Sequence, residues 1–93
     1  MKKSLVVINN QVEFLHFLKA KFPIYNSSNL FFRDLHYGII SFFEHKGMKI
    51  GYGEAESIAR EIAQHFEKQN ILKKVNQQGW VLQYPEFTAK KAS

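Results

Sequence analysis

Ninety-three residues, 45% hydrophobic and 23% charged, suffice for one domain with a modest core and do not have the composition of a disordered chain. The absence of cysteine excludes disulfides, thiolate metal sites and cysteine nucleophiles. A net charge of +5 admits an acidic partner, nucleic acid or an anionic membrane surface, and also fits a surface that only keeps a small protein soluble.

Lys2 and Lys3 lead into an apolar run, Leu5 to Ile8, that resembles a signal peptide but is too short for one. No stretch approaches the ~20 apolar residues of a membrane span, so a soluble cytoplasmic protein is expected. The run itself reads as a short strand or an apolar lead-in. Asn9 or Asn10 can cap a first helix predicted over Gln11–Lys21, with Val12, Leu15 and Leu18 as its apolar face and Phe14 and Phe22 beside it. Pro23 stops this helix, because the residue before a proline is pushed out of helical geometry. Ser27, Ser28 and Asn29 offer caps to a second helix over about 29–46. Phe32, Leu35, His36, Ile39, Ile40, Phe42 and Phe43 give that helix a broad apolar face. Leu30 and Tyr37 fall on its other side. Gly47 is the expected C-cap.

The stretch 47–53 is the most glycine-rich and reads as a connector; its GxG pair is only a weak phosphate-loop signal. A third helix follows over about 54–69. Ala55, Ile58, Ala59, Ile62, Ala63 and Phe66 repeat at helical spacing along one face. A hairpin follows, with strands at 71–75 and 80–84 around Asn76-Gln77-Gln78-Gly79. Gly79 is expected to take a positive φ there. Trp80, Leu82 and Tyr84 share one strand face, and Pro85 ends the pairing. The expected organisation is a single domain over 1–87 with a basic tail over 88–93. Its expected core is Leu15, Leu18, Phe32, Leu35, Ile39, Phe43, Ile58, Ile62, Phe66, Leu72, Trp80 and Leu82.

No enzyme signature emerges from the residues. His16, His36, His45 and His65 do not fall at metal-ligand spacings, and no serine sits in a GxSxG elbow. His36 reads as a core histidine with one hydrogen-bond partner. The expectation is a non-enzymatic binding module with no cofactor, no metal and no catalytic residue.

Two kinds of partner remain. The third helix carries two cations against four carboxylates, and its first turns present Glu54, Glu56, Ser57, Arg60, Glu61 and Gln64. That balance does not suit base reading in a major groove. The hairpin offers Lys73, Lys74, Gln77 and Gln78, followed by Lys90 and Lys91. With Arg60 these form a candidate surface for a nucleic-acid backbone. Lysines on an exposed hairpin also deter edge-to-edge pairing. The alternative is a protein-interaction or self-associating module that uses Leu30, Phe31 and Tyr37 of the aromatic-rich second helix.

The helix-then-hairpin stretch from Glu54 to Tyr84 resembles the C-terminal half of a winged-helix domain. Its spacing of Ala55, Ile58-Ala59, Ile62-Ala63, Phe66, Ile71-Leu72, Val75, Gly79 and Trp80-Val81-Leu82 is also similar to the DEP branch of that fold. The resemblance covers about a third of the chain and rests on hydrophobic spacing. The loop before the second helix is shorter than the DEP hairpin arm, and that helix lacks the usual DEP tryptophan. The resemblance implies a mainly α fold with a small β-hairpin, three helices and a C-terminal wing. Winged-helix relatives include DNA binders and protein-binding adaptors alike.

Overall fold

The computed structural model describes residues 3–87. Their order is α1 (Ser4–Ile8), α2 (Gln11–Lys21), β1 (Asn29–Phe31), α3 (Phe32–His45), α4 (Tyr52–Lys68), β2 (Leu72–Asn76) and β3 (Gly79–Leu82), closed by a 3-10 turn at Pro85–Phe87. Among the described residues this is an α+β domain of four helices and a three-stranded antiparallel sheet in the order β1-β3-β2. No helix among them is long and apolar enough to cross a membrane. The predicted tail, with Lys90 and Lys91, lies outside the described residues.

The core is built around α3, which packs on α2 and on α4. Leu35, Ile39, Phe42 and Phe43 are its buried face, and α4 answers with the predicted stripe from Ala55 to Phe66. Of the expected core residues, Phe32 alone stays half-buried; the rest are buried. Helix α2 turns differently from its expected face. Phe14, Leu15 and Leu18 are buried and Val12 is exposed. Two residues of helix rotate by about 200°, so burying Phe14 puts Val12 on the opposite side.

The α2–α3 contact closes at a glycine. A Cβ on Gly38 would overlap Cδ2 of Leu18 and would lie 3.7 Å from Cε2 of Phe22. Leu18 is itself fully buried and has little room to move aside. Gly38→Val is therefore expected to destabilise the domain by about 1–3 kcal/mol through overpacking. A urea unfolding midpoint equal to that of the wild type would show that the two helices part freely.

Four local expectations are corrected. Residues 4–8, expected as a short strand or an apolar lead-in, are helical. Ser4 and Val7, one turn apart, both face inward, and the Ser4 hydroxyl donates to Glu61 Oε2 at 3.0 Å. Asn10 does not cap α2 with its side chain; its Nδ2 donates back to the Val6 carbonyl at 2.7 Å and closes the end of α1. The second predicted helix begins at Phe32 rather than residue 29, because 29–31 form β1. In β1, Leu30 pairs with Trp80 of β3 and its side chain enters the core. None of the predicted caps serves α3. The Ser28 hydroxyl instead bonds both the N–H and the carbonyl of Tyr25.

Both long helices end as their local sequence demands. Gly47 takes φ 77°, with Gly47 N–H on the Glu44 carbonyl and Met48 N–H on the Phe43 carbonyl. This is a Schellman closure. Asn70 repeats it after α4, with φ 62° and bonds to the Glu67 and Phe66 carbonyls from Asn70 and Ile71. The chain therefore leaves α4 in a fixed direction and enters β2 at once.

The hairpin has a two-residue turn at Gln77-Gln78, where Gln78 N–H donates to Asn76 Oδ1, and a register shift between Lys74 and Asn76. Gly79 is not at positive φ, contrary to expectation. Its requirement is space: a Cβ there would lie 3.3 Å from Cδ1 of Phe31, because β1 crosses directly beside it.

Candidate binding groove

Glu56, Arg60, Gln64 and Glu67 are spaced along the solvent side of α4, opposite the apolar stripe. They run along a groove of about 490 Å³ between α4, the start of α3 and the hairpin. Arg33 of α3 stands on one side of it, and Lys74 with Gln77 and Gln78 on another. Trp80, Phe32, His36 and Ala63 form its inner lining, and Tyr52 closes one end.

The inner lining is held by specific contacts. The buried His36 donates from Nε2 to the Tyr52 carbonyl at 3.0 Å, and its ring centre lies 4.3 Å from that of Tyr52. A carbonyl can only accept, so Nε2 carries the proton. This is the single-partner core histidine expected from the sequence, and it fixes the first turn of α4. Trp80 Nε1 donates to Glu67 Oε2 at 2.6 Å, which satisfies a buried indole and occupies a groove carboxylate. Arg60 binds Glu56 at 2.8 Å, and its guanidinium lies 5.0 Å from the centre of the Phe32 ring. Its charge is thus partly neutralised within its own helix. The Tyr52 phenol is held above its ordinary pKa, first by its hydrogen bond to Tyr37, then by the charge of Tyr37, by desolvation and by Glu56.

Arg33 and Lys74 make no ion pair among the described residues, whereas both carboxylates lining the groove already have partners in Arg60 and Trp80. The Trp80 indole is neutral and leaves Glu67 charged, so the lining as a whole sets three cations (Arg33, Arg60 and Lys74) against two carboxylates (Glu56 and Glu67). Among the described residues no cluster of three or more histidine, aspartate or glutamate side chains is placed to hold a metal.

The predicted site residues divide. Arg60, Lys74, Gln77 and Gln78 come together around the groove. Lys73 is exposed on β2 but does not line it, since neighbouring strand residues face opposite ways. Phe31 and Tyr37 are 50% and 46% exposed. Leu30 is only 1% exposed, so it is a core residue and not part of a surface. Its earlier placement assumed helix at residue 30, and the strand turns it inward. Arg33 and Tyr52 were missed as site residues. Arg33 sits one helical turn before His36, and that spacing was the available signal. Tyr52 reaches the groove only through the packing of α4 on α3.

Comparison with family models, with curated proteins and with solved structures finds no significant match to this chain.

Proposed function

We propose that the chain is a winged-helix-like, non-enzymatic module that associates with nucleic acid through its hairpin and groove, with little sequence preference. The carrying observation is the pair of exposed cations, Arg33 and Lys74, which form no ion pair among the described residues and give the groove lining an excess of cations over carboxylates. Gln64, Gln77 and Gln78 add amide groups able to bond phosphate or sugar oxygens. The winged-helix assignment is supported by α4 leading directly into the hairpin and by the strand order β1-β3-β2. Base reading by α4 is disfavoured, because Glu54 and Glu56 lie in its first turns and Arg60 is tied to Glu56. Binding measured by fluorescence anisotropy is expected to fall steeply with salt and to differ little between sequences. No binding at low salt would eliminate the reading.

A second reading, a protein-interaction surface, is favoured by the exposure of Phe31 and Tyr37 on the outside of β1 and α3. Aromatic side chains of this kind anchor interfaces. It predicts that the solution mass rises with concentration and that Phe31→Ser/Tyr37→Ser restores a folded monomer. A wild type that stays monomeric at all concentrations removes the self-associating form of this reading.

A further inference from the structure

We propose that the groove takes single-stranded nucleic acid in preference to duplex, with the Tyr52 ring as the platform on which a base stacks. This deepens the nucleic-acid reading above and rests on it. The first observation is size. About 490 Å³ lies within the ~300–1,000 Å³ of sites that enclose small organic molecules. Such a groove matches a nucleotide unit of one strand, not a rigid double helix.

The second observation is how charge is distributed. Arg33 from α3 and Lys74 from β2 approach the groove from different elements, so one backbone threaded between them meets a cation from each. A duplex would have to dock from outside, over the Glu56–Arg60 pair beside the groove. That pair is internally neutralised, so it offers phosphate little attraction.

The third observation is Tyr52 itself. It is 62% exposed, the most exposed large hydrophobic residue after the core is accounted for, yet it is not loosely held. His36 fixes its carbonyl and packs against its ring, and the Tyr37 ring stands edge-on at 6.4 Å. An exposed but immobilised ring at the end of a cationic groove is the arrangement that stacks bases without reading them, since every base has a π face.

The test is an anisotropy titration at low salt, using a labelled oligothymidylate and a mixed-sequence duplex of the same length. The single strand is expected to bind about tenfold more tightly. Tyr52→Ala is expected to weaken single-strand binding by about tenfold or more, while Tyr52→Phe retains the wild-type affinity. Independently of any variant, the ring protons of Tyr52 in the wild-type protein are expected to shift upfield when oligothymidylate is added. Duplex binding as tight as single-strand binding, or unmoved Tyr52 ring protons, would overturn this inference and leave the nucleic-acid reading standing. Failure of both ligands to bind would overturn that reading, and the inference with it.

Discussion

Phe42→Ala is expected to destabilise the domain by about 3–5 kcal/mol, which for a chain of this size lowers Tm by roughly 12–40 °C. Phe42 is fully buried in the last turn of α3. Two rings of α2 meet it edge-on, Phe14 at 5.1 Å and Phe17 at 5.4 Å between centres. Phe14 in turn lies 6.4 Å from Phe66 of α4, so the cavity would open where three helices join. Small domains of this kind hold about 5–15 kcal/mol in total, so the loss is a large share of it. Thermal melting followed by circular dichroism measures the effect. A loss of less than about 1 kcal/mol would mean that the neighbouring rings collapse into the space and that the cluster is not as rigid as its geometry indicates.

The double substitution Arg33→Glu/Lys74→Glu is expected to weaken nucleic-acid binding by about 100-fold at low salt, or roughly tenfold for each contact. Both side chains are exposed and neither forms an ion pair among the described residues, so the fold should tolerate the change within about 0.5 kcal/mol. The salt dependence separates lost phosphate contacts from a distorted site. Each phosphate contact contributes about 0.7 to the logarithmic slope for a single strand, so the slope should shrink by about 1.4. The same substitution at Lys73 and Lys68, outside the groove, should move affinity far less. Equal losses from the two pairs would show that binding follows net charge and not the groove.

The three longer helices were legible because their signal is local, whereas the five residues of α1 were too few to show a period. The alanine–isoleucine stripe of α4 and the phenylalanines of α3 declare a buried face within a few turns, and Pro23 and Gly47 mark ends by backbone chemistry alone. The strand β1 was not legible. Three residues carry no periodicity, and Asn29–Phe31 are extended only because β3 lies beside them some fifty positions later. The same blindness misplaced Leu30 as a surface residue. The cationic hairpin was visible as a cluster in sequence. The groove was not, because Arg33, Tyr52 and Lys74 meet only once α3, α4 and the hairpin have packed.

The sheet order has a consequence for how the domain comes to exist. The strand furthest along the sequence, β3, is the one in the middle. Its pairing with β2 needs only a two-residue turn, but its pairing with β1 must close a loop that contains both long helices. Contacts of that separation are slow to form, because the loop's entropy is lost before any pairing rewards it. A fragment ending before Gly79 would leave β1 with no neighbour and Leu30 uncovered. Helix packing is thus expected to come early and to be present in the transition state, with the β1–β3 pairing completed after it. Substitutions at Leu30 and Leu82 should then act mainly on the unfolding rate, and those at Phe42 on the folding rate.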